Sequence, residues 1–542
     1  MEKHLQKLDV NFEIMATART QTEPAHSLLY NPQLLVDNIN PNIEDILGSI
    51  NLYLANPFNN SQKDVFKSSF LDRVTLLWGP PGTGKTTVLA GIVLGWIENA
   101  EIEKKPICIG IGSSNWTAID NLLIEVAKLR ELRNEKIGSF NINFEICRLT
   151  SGLGDSFDYE GINEISRGDA NSARLFQELE TPKTNLVIGS TWKQFYNFTK
   201  GPTWKGVQNP PTPKKWLDVL LIDEASQVKV SHAASYFLLM KETANVVFAG
   251  DDKQLGPIFG FQMEDKSEGL FDCIYSYMKE THGILPKQII DNYRSNDHIT
   301  SWSNKRFYDN KLNAIFSQKR LEVNLPEQKP TDWPIELLWD DAYLDILNPD
   351  FPIIVLTYPP QTFTVFNPFE AHIVAALTCL YRISLDSSIH DTRFYEERLG
   401  IVTPHRAQRS NIQNLLTKYS GIKSNSSIVV DTVDRFQGQE RDLVIASYTV
   451  ADKDFVNSEE DFILDPRRFN VSITRAKSKF IMLICDSILQ HLPSDKKTAT
   501  DAAHIQLFVE KHCQTIKDIT LSYVDVNGAI VPIECKLKAL IM

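Results

Sequence analysis

The chain contains few of the features that mark secreted, zinc-stabilised or membrane-spanning proteins. Its 542 residues include only seven cysteines, which are scattered and form no CxxC pair. This usage argues against a disulfide framework or a zinc module and favours a reducing compartment. No apolar run approaches the roughly 18 residues of a membrane span, and the stretch MEKHLQKLDVNFEI lacks the apolar centre of a signal peptide. We therefore expect an intracellular protein without membrane contact, in the cytoplasm, with the nucleus as the alternative.

Positive charge is also scarce. The formal net charge is -12, so the chain has no global basic footprint of the kind that a simple DNA-binding domain shows. This argues only weakly against nucleic acid, because local positive charge and backbone amides can line one groove of an acidic protein. Internal repeats and low-complexity tracts are absent. The hydrophobic content of 42% and charged content of 23% are typical of an ordinary globular protein.

The chain does contain a stretch shaped to hold a triphosphate, LLWGPPGTGKTTVL at residues 76–89. Its glycines let backbone N–H groups turn toward the phosphates, Lys85 can reach the β and γ phosphates, and the Thr86 hydroxyl can ligate Mg²⁺. The flanking runs predict a buried strand before the loop and a helix after it, which a chance match to the pattern would not require. We expect ATP to be bound by Gly79, Pro80, Pro81, Gly82, Thr83, Gly84, Lys85, Thr86 and Thr87.

A pair of carboxylates follows a second buried run, LLIDEASQ. Asp223 and Glu224 are expected at the carboxyl end of that strand, where open α/β sheets place their ligands. Asp223 can hold through water the Mg²⁺ that Thr86 ligates, and Glu224 can orient or deprotonate the water that attacks the γ phosphate. The alternative is a strand that simply ends in an acidic turn.

Short apolar runs separated by helical periodicity predict an α/β protein. Because the runs are continuous rather than alternating, we expect strands buried on both faces, in two successive parallel sheets of which only the first carries a phosphate loop. The first set lies at residues 74–78, 107–112, 185–190, 218–223 and 245–250, and the second at 353–358, 399–404, 427–433, 442–450 and 480–486.

These runs suggest four segments. We predict an N-terminal element at 1–57, a first domain at 58–285 with a charged insert near 122–184, a second domain at 286–495 with a Pro-rich insert near 313–350, and a C-terminal element at 496–542. In the last segment Asp525, Glu534 and Lys536 could be fitted to a metal-nuclease pattern, but a plain β-hairpin is the favoured interpretation.

The DEASQ motif resembles that of superfamily 1 helicases related to the nonsense-mediated mRNA decay helicase. Further segments resemble that family's motifs in the family's order: GDDKQLGPI (250–258), SSNWTAIDNL (113–122) and GSTWKQF (189–195). The resemblance implies that Gln254 senses the γ phosphate. It also implies that Gln62, at the position of the family's Q motif, reads the adenine edge through its amide.

The second half continues the resemblance through DNYRSNDHI (291–299), NPFEAHIV (367–374), GIVTPHRAQ (400–408), VDTVDRFQGQERDLVI (430–445) and RRFNVSITRAK (467–477). It implies two tandem RecA-like domains. Tyr293 would stack on adenine, Gly438 and Glu440 would approach the nucleotide, and Arg294 and Arg475 would act as arginine fingers. Fingers that are distant from Lys85 in sequence would complete the ATP site only when the two sheets close on ATP.

The expected partner is a single strand of DNA or RNA. Phosphate contacts that position a strand without reading its sequence are expected from hydroxyl and amide side chains in the motifs, namely Ser114, Asn115, Thr117, Thr191, Thr403 and Thr432. Each of these side chains could equally be a helix cap or a turn residue.

The resemblance implies an ATP-dependent, monomeric 5′-to-3′ helicase or translocase. Two alternatives remain open: a nucleic-acid-stimulated ATPase that strips proteins without unwinding, and an ATP-switched clamp or scaffold with protein partners in a larger complex. Asn296 and Asp297 stand where relatives often carry His-Pro, and His405 replaces a common Tyr, but none of these is an expected phosphate ligand. The region before Gln62 is short, so the small β-barrel that many relatives use to separate strands is expected to be absent or reduced.

Overall fold

The computed structural model describes residues 27–29, 32, 42–137, 142–151, 157–166, 170–199, 215–257, 272–385, 393–419, 430–436 and 438–540. The chain divides into two compact units. The first comprises Met1–Asp252 and Gly256–Ile290, and the second comprises Lys253–Leu255 and Asp291–Met542. Most of the predicted N-terminal element, and the start of the strand expected at 427–433, lie outside the described residues. In the described part of the chain, no helix is long and apolar enough to cross a membrane.

The first unit is built on an eight-stranded sheet in which every pairing is parallel. Its strands are β1 (Val74–Trp78), β2 (Cys108–Ser113), β3 (Phe144–Thr150), β4 (Asn163–Ser166), β5 (Asn185–Thr191), β6 (Leu217–Ile222), β7 (Met240–Gly250) and β8 (Lys287–Gln288). They are ordered β4-β3-β5-β2-β6-β7-β1-β8. The phosphate loop therefore follows a strand that is flanked on both sides, as a buried parallel strand must be.

The helices of the first unit are α1 (Ile43–Tyr53), α2 (Asn60–Leu71), α3 (Lys85–Glu103), α4 (Trp116–Ile137), α5 (Ala170–Glu180), α6 (Trp192–Thr199) and α7 (Val230–Phe237), with the short α8 (Ile274–Ser276), a 3₁₀ turn at Ala225–Gln227 and a π turn at Tyr277–Thr281. Apolar residues of α1, α2, α3 and α4 pack against the buried strands in one core. Residues 43–54 of the predicted N-terminal element supply part of this core through α1.

The second unit contains a seven-stranded sheet ordered β13-β12-β14-β15-β11-β17-β16. Its strands are β11 (Ile353–Tyr358), β12 (Leu399–Thr403), β13 (Val430–Thr432), β14 (Arg441–Ser447), β15 (Ala476–Cys485), β16 (Gln514–Val524) and β17 (Ile530–Ala539), and a separate parallel pair is formed by β9 (Asp291–Asn292) and β10 (Asn313–Ala314). The first five strands of the sheet are parallel, whereas β17 runs antiparallel to both β11 and β16.

Two apolar clusters fill the second unit. Its helices are α9 (Asp297–Phe307), α10 (Ala342–Leu347), α11 (Pro368–Ile383), α12 (Arg406–Tyr419), α13 (Lys453–Ser458), α14 (Glu460–Ile463), α15 (Pro466–Thr474), α16 (Asp486–Leu489) and α17 (Lys496–Leu507), with π turns at Phe394–Arg398 and Phe508–His512. The α/β class with two largely parallel sheets, as predicted from the apolar runs, is confirmed.

The structure differs from the sequence prediction in the expected insert at 122–184. This segment contributes β3 and β4 to the first sheet, where β3 pairs with β5. The charged residues Glu145 and Arg148 interrupt the apolar run of β3, and this concealed the strand. Arg148 is buried because its guanidinium lies 4.1 Å from the Trp116 ring centroid and 2.6 Å from Asp120 Oδ1.

The residues expected to form a separate C-terminal element also join a sheet. The β16–β17 hairpin adds to the edge of the second sheet through the pairing of β17 with β11. Inward residues Ile533, Cys535 and Leu537 alternate with outward ones, which is the pattern of a half-covered antiparallel strand. Among the described residues, no group of three or more acidic, His or Cys side chains is arranged to hold a metal ion.

Candidate functional site

The phosphate loop takes its shape from its glycines. Gly82 and Gly84 have φ values of 77° and 79°, in the left-handed region that disfavours side chains. A Cβ atom on Gly79 would lie 3.1 Å from the Lys85 side chain, so the loop wraps closely around that lysine. The cap of α3 carries no side-chain hydrogen bond, which leaves the first N–H groups of this helix available to an anion.

Lys85 lies against the two predicted acidic residues. Its Nζ atom is 2.8 Å from Glu224 Oε1 and 3.1 Å from Asp223 Oδ1. Burial alone lowers the pKa of Lys85, but the attraction of Asp223 and Glu224 outweighs burial and raises it. Burial raises the pKa of Asp223, and the charge of Lys85 opposes that rise. The structure therefore brings together the cation and both carboxylates that the sequence singled out.

The threonines of the loop have different partners. Thr83 Oγ1 donates to the Pro80 carbonyl at 2.7 Å and so closes the loop on itself, while Thr87 Oγ1 donates to Glu125 Oε1 at 3.2 Å. Thr86 lies in the first turn of α3 and Asp223 is 4% exposed just after β6. A hydroxyl and a buried carboxylate are oxygen ligands that suit Mg²⁺, which commonly takes its remaining ligands from water and phosphate. The donor set thus fits the expected metal.

Glu224 has an unusual backbone. Its φ of 49° is left-handed, which is uncommon for a residue with a side chain and marks local strain. The Glu224 N–H donates to Asp223 Oδ1 at 2.8 Å, so the strained residue is held by its neighbour. This conformation directs the chain into the 3₁₀ turn and leaves the Glu224 side chain beside Lys85.

Gln227, which was not among the predicted site residues, contacts the same carboxylate. Its Nε2 atom donates to Glu224 Oε2 at 3.3 Å, and its Oε1 atom accepts from the Ser114 hydroxyl at 3.4 Å. The signal in the sequence was its position three residues after Glu224 in LLIDEASQ, because residues three apart in a helical turn share a face.

Gln62 is buried behind the loop with both ends of its amide engaged. Its Oε1 atom accepts from the Asn59 N–H at 3.1 Å as part of a capping box on α2, and its Nε2 atom donates to the Thr83 carbonyl at 3.2 Å. A bidentate contact with adenine would therefore require Gln62 to exchange these two bonds.

In the second unit, Arg294 is paired with Glu440, another of the residues predicted to contact the nucleotide. Its Nε atom lies 2.6 Å from Glu440 Oε2, and its Nη1 atom donates to the Thr474 carbonyl at 3.1 Å. Lys477, which sequence reasoning missed, lies 3.1 Å from Glu440 Oε1. Burial alone would raise the pKa of Glu440, but Arg294 and Lys477 lower it to about 2.

The remaining predicted nucleotide residues of the second unit differ in their burial and partners. Arg475 is buried, and its Nη2 atom donates to Gln254 Oε1 at 2.6 Å, so these two predicted γ-phosphate groups are in contact. Gly438 is exposed, with a left-handed φ of 87° that suits glycine. Tyr293 is half-buried next to Arg294.

The candidate nucleic-acid contacts of the first unit lie at or just after the carboxyl ends of β2 and β5. Ser113 and Thr191 are register partners in β2 and β5. The Tyr236 hydroxyl lies 3.2 Å from the carbonyl oxygens of Ser113 and Ser190, to which it can donate, and so joins the ends of both strands. Ser114 and Thr117 are exposed and Thr191 is half-buried, whereas Asn115 Oδ1 accepts from the Ala118 N–H at 2.8 Å and caps α4.

The two candidates of the second unit differ in exposure. Thr432 is half-buried at the end of β13. Thr403 is 1% exposed and its hydroxyl lies 2.9 Å from Thr449 Oγ1, so it faces the interior rather than a strand. Its surroundings form a buried polar layer with Glu370, whose carboxylate accepts from the Ser447 hydroxyl and the Thr449 N–H.

A phosphate loop between a parallel strand and a helix, with a lysine paired to two carboxylates at the carboxyl edge of the sheet, defines a P-loop nucleoside triphosphatase fold. Two family models, both described as AAA domains, match residues 57–152 and 270–487. The chain belongs to the UPF1-like group of superfamily 1 helicases, which confirms the resemblance seen in the motifs.

Three curated relatives illustrate the similarity. The human DNA replication ATP-dependent helicase/nuclease DNA2 is 26% identical, across 81% of this chain and 39% of its own length. The ATP-dependent helicase NAM7 of Saccharomyces cerevisiae is 25% identical, across 78% of this chain and 41% of its own. An uncharacterized ATP-dependent helicase, MJ0104, of Methanocaldococcus jannaschii is 29% identical, across 80% and 68%. The chain thus spans about two fifths of the length of the DNA2 relatives.

Among solved structures, the DUF1998 helicase MrfA bound to DNA aligns with a TM-score of 0.42 at 10% identity, covering 93% of this chain and 69% of that one.

Proposed function

We propose that this chain is an ATP-dependent helicase or translocase that hydrolyses ATP while moving 5′ to 3′ along single-stranded DNA or RNA. The observation that carries the proposal is the position of Lys85, which lies within 3.1 Å of both Asp223 and Glu224 beside the phosphate loop. A clamp that only binds nucleotide has no need of a second carboxylate such as Glu224 beside the phosphate loop, so this residue favours turnover. The direction of movement rests on family membership.

Each group has a proposed role in hydrolysis. Lys85 exchanges its carboxylate partners for the β and γ phosphates, which leaves Glu224 to orient the attacking water. Thr86 and Asp223 would hold Mg²⁺, which neutralises charge on the phosphates. Gln254 is proposed to sense the γ phosphate, with Arg294 and Arg475 as arginine fingers, a role worth about 10³ to 10⁵ in rate in other phosphate-loop enzymes. Gln62, Tyr293, Gly438 and Glu440 are proposed to contact the rest of the nucleotide.

We assign the proposed nucleic-acid contacts according to the exposure of each side chain. Ser114 and Thr117 in the first unit are exposed, and Thr191 in the first unit and Thr432 in the second are partly accessible. Their hydroxyl groups suit phosphate oxygens that accept hydrogen bonds. The Asn115 side chain caps a helix and the Thr403 hydroxyl is buried. We therefore propose that these two side chains hold the neighbouring backbone in place and do not themselves contact a phosphate.

The setting of this activity is also proposed. All seven cysteines are free and buried, which suits a reducing intracellular compartment. We propose a monomeric motor, with protein partners contributing regulation, and a single sharp peak at 61.6 kDa in solution would support the monomer.

The test is steady-state ATP hydrolysis by the purified chain, alone and with single-stranded DNA, single-stranded RNA and duplex. Stimulation by one single strand identifies the track, and duplexes with a 5′ or a 3′ overhang then report direction and unwinding. Lys85→Ala, prepared in parallel, measures contaminating ATPase. Stimulation without strand separation would favour the protein-stripping ATPase, and bound ATP without turnover under any condition would favour the clamp.

A further inference from the structure

Both oxygen atoms of the Glu224 carboxylate are hydrogen-bonded to protein side chains. Oε1 lies 2.8 Å from Lys85 Nζ, and Oε2 accepts from Gln227 Nε2 at 3.3 Å. A carboxylate engaged in this way is poorly placed to accept a proton from water, because its lone pairs already face donors. Activation of Glu224 therefore requires that these donors move away.

The two donors respond to different ligands. Lys85 belongs to the phosphate loop, so the phosphates of ATP compete with Glu224 for it. Gln227 belongs to the 3₁₀ turn and connects Glu224 to the end of β2, because its Oε1 atom accepts from the Ser114 hydroxyl at 3.4 Å. Ser114 is exposed at the end of β2, among the proposed strand contacts.

Backbone hydrogen bonds hold both ends of the path that runs from Ser114 through Gln227 to Glu224. The Asp223 N–H donates to the Gly112 carbonyl at 2.9 Å, which holds the end of β6 against the end of β2. The Gln227 N–H donates to the Glu224 carbonyl at 2.8 Å, which closes the turn. These bonds hold the backbone along the path, so a change along it can occur through the side chains of Ser114, Gln227 and Glu224.

We propose that Gln227 is a positioning residue that makes hydrolysis depend on an occupied strand. The proposal rests on the proposed function and concerns the regulation of the same site. A backbone phosphate of a single strand is an acceptor, so it takes the Ser114 hydroxyl and removes the donor that orients the Gln227 amide. The amide then turns away and frees Glu224 Oε2, while ATP draws Lys85 from Oε1. Rapid turnover requires both releases.

The two long hydrogen bonds of Gln227 suit a contact that a nucleic-acid strand can break. Contacts of 3.3 and 3.4 Å lie beyond the usual range for hydrogen bonds and are weak, so a strand phosphate can displace them readily. A hydrogen bond of ordinary strength corresponds to roughly a 2- to 12-fold change in an equilibrium or rate. The Gln227 amide donates to a carboxylate, which strengthens the bond, but the contact is long, which weakens it, so we expect an effect within that range.

The experiment measures kcat and KM for ATP in the full chain, with and without a saturating single strand of the kind that stimulates it. Gln227→Ala is expected to raise the strand-free kcat by roughly 2- to 12-fold, to leave the KM for ATP unchanged, and to bring the stimulation ratio toward one. A purely structural defect would instead lower kcat under both conditions. Gln177→Ala, an exposed glutamine on α5 of the same unit, is the matched control and should retain the ratio of the wild type.

Ser114→Ala provides a second variant at an exposed position where folding is not at stake. It should raise the strand-free kcat by a smaller factor. The double variant Ser114→Ala with Gln227→Ala should match Gln227→Ala alone, because the two side chains act in one path.

The possible failures can be distinguished. A wild type without strand-stimulated ATPase overturns the proposed function and the link with it. A stimulated wild type, together with a Gln227→Ala variant that retains the wild-type strand-free kcat and ratio, overturns the link alone. Strictly additive effects of Ser114→Ala and Gln227→Ala also overturn it.

Discussion

At the scale of single residues, the first unit concentrates its charge around one lysine. Asp223 and Glu224 are largely buried, and Lys85 is the cation that the structure places against both. Removing one partner of such a group leaves the other charges buried without compensation, which is more disruptive than losing a surface ion pair. Substitutions at these residues should therefore change both the rate of ATP hydrolysis and the free energy of unfolding.

Lys85→Ala is expected to abolish hydrolysis, because the β and γ phosphates lose their cation. Glu224→Gln keeps nearly the same volume and should retain ATP binding, while hydrolysis falls and an ATP-bound complex persists on single strands. Steady-state ATPase and filter binding of labelled ATP and labelled single strands would check both outcomes. Full activity in either variant would contradict the assignment of this site.

Arg475→Ala should lower turnover with little loss of nucleotide affinity, as expected for a group that acts on transition-state charge. The buried Arg475 is held by Gln254, so its guanidinium is positioned by the protein rather than by solvent. Separate measurements of kcat and of ATP affinity would test this role. A large loss of affinity at unchanged kcat would refute it.

At the scale of elements, the carboxyl ends of the strands carry the polar groups. In the second unit the Glu370 carboxylate on α11 accepts from Tyr358 at the end of β11 and from Ser447 at the end of β14, both at 2.5 Å. Burial raises the pKa of Glu370 to about 7, although these donors and the Thr449 N–H favour the charged form. A single side chain thereby ties one helix to two strands and to Thr449, whose φ of 69° is left-handed.

The raised pKa of Glu370 predicts a pH-dependent stability. Between pH 4.5 and about 7 the carboxyl is ionised in the unfolded chain but protonated in the folded one, so the free energy of unfolding falls as pH rises through this window. The loss is at most roughly 3 kcal/mol and is complete above the folded pKa. Glu370→Gln cannot ionise and should lack this loss.

Urea unfolding at pH 5 and pH 7.5 would compare the wild type with Glu370→Gln. Glu397→Gln, an exposed position on the same unit that pairs with Arg393, is the control. A pH dependence that is equal in the wild type and in Glu370→Gln would show that the Glu370 carboxyl is ionised in the folded protein.

At the scale of the whole molecule, an acidic chain is proposed to hold a polyanion. The net charge of -12 leaves little general attraction for nucleic acid. The proposed contacts are hydroxyl groups such as Ser114 and Thr191 rather than lysine clusters, and such contacts release few counterions when a strand binds.

The affinity for single strands should accordingly depend weakly on salt. With about three or fewer phosphates neutralised by cations, the plot of log affinity against log salt should have a slope shallower than about -2, since each contributes roughly -0.7 for single strands. Fluorescence anisotropy between low and physiological salt would measure this slope. A much steeper slope would indicate a basic groove that these contacts do not describe.

Much of this protein could be predicted from its sequence because the decisive signals are local. The strand at Val74–Trp78 and the strand at Ile353–Tyr358 begin and end where the continuous apolar runs do. The glycines of the phosphate loop, and the carboxylates that follow β6, likewise report a backbone shape that neighbouring residues alone can impose.

Other features depend on which strands become neighbours, and the sequence does not encode that locally. The ends of β2, β5 and β6 meet only because the sheet orders them side by side, and this brings Ser114 to Gln227 and Tyr236 to both strand ends. The burial of Thr403, the engaged amide of Gln62 and the addition of the C-terminal hairpin to β11 likewise arise from packing. The sequence by itself determined the chemistry of the phosphate loop and the class of the fold, because both follow from short-range backbone preference and apolar pattern. The tertiary structure alone decided which polar groups are already hydrogen-bonded, because that depends on contacts between residues far apart in the chain.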